Sequence, residues 1–160
     1  MDDLKFLADG MLGKLTRWLR MLGHDVVYTG SMNDNELISK TKEENRILLT
    51  RDVKLYQRAT AKGVEAFLLE SPDQIANLAQ TAKRFKFPLE INPDRSRCPK
   101  CNTKIKSVQK AEVEGKVPEK TLAHYDEFWQ CPNCGQIYWR GAHWKEIEKT
   151  LAEAQRTLEG

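Results

Sequence analysis

The sequence predicts an α/β fold: a parallel sheet flanked by helices, with a smaller cysteine-bearing module and a terminal helix behind it. Three observations carry this expectation. Short apolar runs alternate with helical stretches of about ten to fifteen residues through the first ninety positions, the pattern of βαβ units. All four cysteines fall later, as C-x-x-C pairs at 98–101 and 131–134. Charge patterning also changes there: Arg95, Arg97, Lys100, Lys104, Lys106 and Lys110 follow one another with no acid among them. The boundary is placed near residue 90, separating 1–90 from 91–160.

The elements follow in order. LKFLAD at 4–9 is apolar and ends in an acid, as a buried strand would. Leu12, Leu15, Leu19 and Leu22 recur at helical spacing and give the next helix its core stripe, with Lys14, Arg17, Trp18 and Met21 on the other side and Arg20 flanking. Gly23 suits a helix stop. DVVY at 25–28 is the second strand, and Ser31 or Asn33 can cap a helix over about 34–44. RILLT at 46–50 is the third strand, trailed by Asp52, and 53–62 reads as helix up to Gly63. VEAFLL at 64–69 is the fourth strand, and Pro72 fits the first turn of a helix running to Phe85. Near the end, Ile147, Leu151, Ala154 and Leu158 form one apolar stripe on a helix over 144–158, which is expected to dock on the first domain.

Composition excludes several classes. Hydrophobic residues make up 40% and charged residues 31%, which rules out extensive disorder. No run approaches the ~18 apolar residues of a membrane span. MDDLKFLAD lacks the basic start and apolar stretch of a signal peptide, so a cytoplasmic, non-membrane protein is expected. A net charge of +3 does not by itself imply nucleic-acid binding.

The acids share an address. Asp9 ends the first strand, Asp52 follows the third, and Asp34 lies between the second strand and its helix. In a parallel sheet these connections emerge on one edge, where ligands bind. Carboxylates gathered there stay ionised together only beside a cation, and hard oxygen ligands suit Mg²⁺ or Mn²⁺. Such ions activate water and hold a scissile phosphate, while Lys14, Arg17 and Arg20 can grip flanking phosphates. Glu36 and Glu70 are looser additions. The structural alternative is that each Asp is a turn residue or helix cap. No phosphate-binding glycine loop is present, and His24, His124 and His143 sit beside no candidate nucleophile.

C-P-K-C and C-P-N-C-G are the pattern of a Cys₄ zinc site formed by Cys98, Cys101, Cys131 and Cys134. Four thiolates leave no open position, so this Zn²⁺ is expected to be structural. Two disulfides are the alternative, disfavoured in a reducing compartment. Trp129, Tyr138, Trp139, Arg140, His143 and Trp144 surround the second pair, and rings beside cations suit stacking on unpaired RNA bases. The same rings also suit a small ribbon core, with the basic run 95–110, including Lys100 and Lys104, left for phosphate contact.

F-L-A-D-G-M-L-G-K-L-T-R-W-L-R-M-L-G-H-D at 6–25, D-N-E-L at 34–37, R-I-L-L-T-R-D at 46–52, the two cysteine knuckles and Y-W-R-G-A-H at 138–143 together resemble the Mut-7 C-terminal RNase domain family, over nearly the whole chain. The resemblance implies a PIN-like fold with a zinc ribbon and a metal-dependent ribonuclease activity. It maps the acidic positions to Asp9, Asp34 and Asp52, matches Thr50 to a hydroxyl that orients the site, and matches Lys14, Arg17 and Arg20 to the family's basic helix; Arg51 joins them as an expected substrate contact. Single-stranded RNA, including tRNA or ribosome-associated RNA, is the expected partner. Two rivals stand beside this reading. One is a non-catalytic RNA- or ribosome-binding module. The other is a phosphoacceptor domain, whose paired acids after strand one are lacking because Asp2 and Asp3 precede that strand.

Overall fold

A computed structural model describes residues 4–28 and 30–159; Asp2 and Asp3 lie outside the described residues. Four strands, β1 (Lys5–Ala8), β2 (Asp25–Tyr28), β3 (Ile47–Thr50) and β4 (Ala66–Leu68), pair in parallel in the order β2-β1-β3-β4. Helices α1 (Gly13–Met21), α2 (Asp34–Glu43), α3 (Val53–Ala61) and α4 (Gln74–Phe85) connect and follow them. The expected alternation is therefore present. Two elements shift: β4 keeps only Ala66–Leu68 of the run expected over 64–69, and at α4 Asp73 rather than Pro72 sets the start, because its carboxylate accepts the Ile75 N–H at 3.0 Å.

Strand side chains alternate between two cores, as pleating requires. Phe6, Ala8, Ile47 and Leu49 face the side covered by α1 and α4, joined by Leu15, Leu19 and Leu78. Leu7 and Leu48 face the side covered by α2 and α3, with Leu37, Ile38, Leu55 and Ala59. The terminal helix α7 (Trp144–Glu159) packs on α4 and adds Leu151 and Ala154 to the first core, as its stripe predicts.

Between α4 and α7 lies the cysteine module. Three short strands, β5 (Lys106–Val108), β6 (Phe128–Gln130) and β7 (Ile137–Tyr138), form an antiparallel sheet in that order. The excursion expected to be a ribbon loop carries two small helices, α5 (Lys110–Val113) and α6 (Glu119–His124). Val113, Phe128 and Ile137 make its small core, with Trp139 packed on it.

Edge strand β2 is not left open. Asn102, in the first cysteine knuckle, accepts the Val26 N–H through Oδ1 at 3.0 Å and donates to Asp25 Oδ1 at 2.7 Å. Arg20 donates to the Val26 carbonyl from Nε and Nη2 at 3.0 and 2.7 Å, and from Nη1 to the Pro99 carbonyl at 2.9 Å. The knuckle thus covers an edge that would otherwise present unpaired backbone groups.

Candidate functional site

The strand order fixes where a site can form. From β1 the chain moves out to β2, then returns past β1 to β3, so the connections leaving β1 and β3 diverge. Their carboxyl ends frame a crevice of the kind that binds ligands in open α/β sheets. Asp9 directly follows β1, Thr50 ends β3, and Asp52 caps α3.

Asp9 is 6% exposed, and both its oxygens accept hydrogen bonds. Oδ1 takes the Met11 N–H at 2.9 Å, and Oδ2 takes the Thr50 hydroxyl. The same hydroxyl accepts the Asp52 N–H at 2.9 Å. One Thr50 hydroxyl, donating once and accepting once, therefore ties the ends of β1 and β3 together. Asp52 is exposed; Oδ1 accepts from the N–H groups of Lys54 and Leu55 at 2.9 and 3.2 Å, the work of a helix cap.

Asp34 lies on the same sheet edge but is drawn to another partner. As the first residue of α2, it receives Arg58 Nη1 of α3 at 3.2 Å on Oδ2, while Arg58 Nη2 bonds Asn35. Asn33, not Asp34, caps α2, and Glu36 is held in that cap by the Asn33 amide at 2.8 Å. Glu70 is exposed beyond β4. Among the described residues, the four cysteines alone form a group of three or more metal-ligating side chains whose donor atoms all lie within 4.8 Å of one another. The three aspartates therefore share an edge and, in two cases, a hydrogen-bonded hydroxyl, without closing to that separation.

The expected basic residues divide. Lys14 and Arg17 stand exposed on α1, close behind Asp9. Arg51, between Thr50 and Asp52, is half-buried, and its Nε is a buried donor with no partner. Arg20 departs from expectation: it is 8% exposed, and all three guanidinium nitrogens are bonded to backbone carbonyls, so it joins structure rather than gripping phosphate. Lys100 donates to Gln136 Oε1 at 2.8 Å, and Lys104 lies opposite Arg97 across a backbone bridge. Arg140 lies over Trp129 and Trp144 at 5.4 and 5.6 Å from the ring centres and meets Glu127 at 3.4 Å. His143 is exposed at the start of α7.

The cysteine cluster is built by the same turn used twice. Asn102 donates its N–H to the Cys98 carbonyl at 2.8 Å, and Gly135 donates to that of Cys131 at 2.9 Å. Asn102 and Gly135, each directly after the second cysteine, take left-handed φ values of 70° and 81°. These are the residue types that tolerate that conformation. Cys98 and Cys134 Sγ atoms are 3.7 Å apart, and those of Cys101 and Cys131 3.3 Å. Tetrahedral Zn–S bonds of ~2.3 Å put sulfurs roughly 3.8 Å apart, so the cluster fits a zinc ion. The Thr103 backbone N–H, with smaller help from neighbouring side chains, holds the Cys101 thiol down at about 5; burial pushes Cys131 up to about 11. Burial also pushes up the Tyr138 hydroxyl, 3.0 Å from Cys98 Sγ.

No helix is long and apolar enough to cross a membrane among the described residues. Of the known families, the one described as the Mut7-C RNAse domain matches residues 4–151. No curated protein and no solved structure matches the chain.

Proposed function

The chain belongs to the Mut7-C RNAse domain family, and from that premise we propose that it hydrolyses RNA phosphodiester bonds at the carboxyl edge of its parallel sheet, using Mg²⁺ or Mn²⁺ held by Asp9, Asp34 and Asp52. The observation that carries this reading is the Asp9–Thr50–Asp52 hydrogen-bonded chain, which places a buried carboxylate at the crevice between β1 and β3. Asp9 and Asp52 fit the group: each carboxylate accepts bonds but keeps further acceptor capacity for a hard cation. When bound, the ion supplies Lewis acidity to the scissile phosphate and a more acidic water.

The remaining roles fall to the chain's own side chains. Thr50 fixes the Asp9 carboxylate. Asp34 swings from Arg58, an exchange that is inexpensive because both are more than 40% exposed. Lys14, Arg17 and the half-buried Arg51 guanidinium meet phosphate oxygens on either side of the cleaved bond. The Cys₄ zinc module holds its shape through the metal and offers Lys100, Lys104, Arg140 and His143 to RNA. Single-stranded RNA, free or within tRNA or the ribosome, is the substrate class, and the cytoplasm, which keeps four thiols reduced, is the setting.

Asp9→Asn tests this directly. Labelled single-stranded RNA should be cut by the wild-type protein with Mn²⁺ or Mg²⁺ and left intact by the variant, with zinc content and circular dichroism unchanged. Equal cutting by both would sink the proposal. A second reading, an RNA-binding protein without catalysis, is favoured by one observation: Asp34 is paired with Arg58 rather than gathered with Asp9 and Asp52. It predicts no cutting by either protein and equal RNA affinity for both.

A further inference from the structure

The face of α1 that is turned away from the core links two features. Lys14 and Arg17 are exposed, and Met21, one further turn along, is half-buried. These positions are spaced to share one side of the helix. The stripe begins beside Asp9, which precedes α1, and ends where Met21 lines an apolar cavity of about 110 Å³. Nine residues of α1 make the path ~13 Å long.

The cavity lies where α1, the cysteine module and the start of α7 meet. Trp129, Trp139 and Trp144 line it with Arg140 and Arg97. Arg97 Nη1 is spent on the Asn102 carbonyl at 2.9 Å, while its Nε is buried and has no hydrogen-bond partner. Water suits this volume poorly as a sole occupant, because the remaining lining is largely aromatic and aliphatic.

We propose that this cavity is a base-binding subsite: it takes one unstacked nucleobase of a single-stranded RNA whose backbone runs along Lys14 and Arg17 to the acidic edge. The proposal rests on the ribonuclease reading for the polarity of the path and adds where the strand is anchored. Aromatic and guanidinium planes offer stacking surfaces that every base can use. Arg97 and Arg140, which line the same cavity, place two cations beside the seated base. Lys14 and Arg17 supply cations to the intervening phosphates. A duplex, whose bases are stacked and paired, cannot deliver a base into the cavity without unpairing it. The subsite therefore selects single strands at a distance of a few nucleotides from the cut.

The test is binding, read separately from cleavage. Full-length Asp9→Asn protein, with no Mg²⁺ or Mn²⁺ added, is titrated into labelled single-stranded RNA oligonucleotides, each carrying one abasic position moved along the strand. One position should weaken binding by roughly 5- to 150-fold, the worth of one base stacked on an aromatic ring. Adding Trp144→Ala should erase that penalty by removing a wall. Adding Ile91→Phe, which fills the cavity instead, should erase it too, with zinc content retained in both. Lys14→Ala with Arg17→Ala should weaken every oligonucleotide and flatten the salt dependence while the penalty persists. Equal effects at every abasic position, or a penalty that survives both cavity variants, would overturn the subsite. Loss of hydrolysis as a property of the wild-type protein, with the abasic pattern intact, would remove the ribonuclease reading and leave the subsite standing.

Discussion

Arg20→Ala separates a structural role from an RNA-binding one. The guanidinium serves two acceptors, the Val26 carbonyl through Nε and Nη2 at 3.0 and 2.7 Å and the Pro99 carbonyl through Nη1 at 2.9 Å. Hydrogen bonds to charged groups contribute about 1.5–3 kcal/mol each, so two acceptors give ~3–6 kcal/mol. Water can enter beside the exposed part of the knuckle after truncation, which favours the lower end, about 3 kcal/mol. For a chain of this size 1 kcal/mol moves the melting temperature by about 2–4 °C, so a fall of roughly 6–12 °C is expected. Arg20→Lys places one ammonium where a planar fork served two carbonyls and should recover only part of the loss. Chemical denaturation and calorimetry measure this, with RNA affinity determined on the folded fraction. Wild-type stability combined with weaker, less salt-dependent RNA binding would refute the argument and return Arg20 to the phosphate-contacting set.

Three further outcomes are expected. Asp52→Asn keeps an oxygen to cap α3, so stability should stay within about 0.5 kcal/mol while hydrolysis is lost; Asp52→Ala should lose hydrolysis and also about 1 kcal/mol, and equal stability of the two would contradict the cap. Zinc analysis should find one ion per chain, and a chelator should lower the melting temperature more effectively at lower pH, because thiol ligands must shed protons to bind; a melting temperature indifferent to chelation would show that no such ion is held. Burial pushes the Asp25 carboxyl up, but hydrogen bonds from Arg46 and Asn102 outweigh it and hold the group below its ordinary value of 3.8. The folded state then binds that proton more weakly than the unfolded chain, so the contribution is full above the ordinary value and is lost as pH falls through the lowered one. Asp25→Asn should flatten this acid limb in a series of denaturation midpoints; an unchanged limb would assign the acid sensitivity elsewhere.

How much was legible depended on the length of pattern available. Leu12, Leu15, Leu19 and Leu22 repeat often enough to reveal α1, and the apolar runs ending in Asp9 and near Asp52 reveal strands and the acidic edge together. The two C-x-x-C pairs reveal the cluster because ligand spacing is a local property. Helices α5 and α6, of four and six residues, were not legible, since neither completes two turns of periodicity. Arg20 misled for a different reason. Its spacing places it beside a basic face, but whether a guanidinium meets water or a carbonyl depends on what folds over it, and Pro99 lies 79 residues away. Asn102 carried a detectable hint: an Asn directly after C-x-x-C occupies the position held by Gly135 in the second knuckle, so a left-handed turn could have been expected there. Its grip on Asp25 and Val26 could not.

The placement of α1 connects these features. Its first turn follows the loop that Asp9 organises, with the Leu12 N–H bonded to the Asp9 carbonyl at 3.1 Å and the Met11 N–H to Asp9 Oδ1. Its last turn is fastened to the cysteine module: the Arg20 carbonyl accepts the Arg97 N–H at 2.9 Å, the Met21 carbonyl accepts the Ser96 hydroxyl at 2.5 Å, and Gly23 meets Arg95 so closely that an added Cβ would lie 3.0 Å from its carbonyl oxygen. A rigid helix bonded at both ends transmits position. Removal of a metal ion held by the cysteine cluster should therefore loosen the end of α1 next to Met21 before it disturbs the cores on either face of the sheet, which are filled by Phe6, Leu7, Leu48 and Leu49 without help from the cysteines. Amide exchange after metal removal would then rise first in α1 and the knuckles while β1 and β3 stay protected. Uniform loss of protection across the sheet would mean that the module stabilises the whole molecule rather than setting one helix.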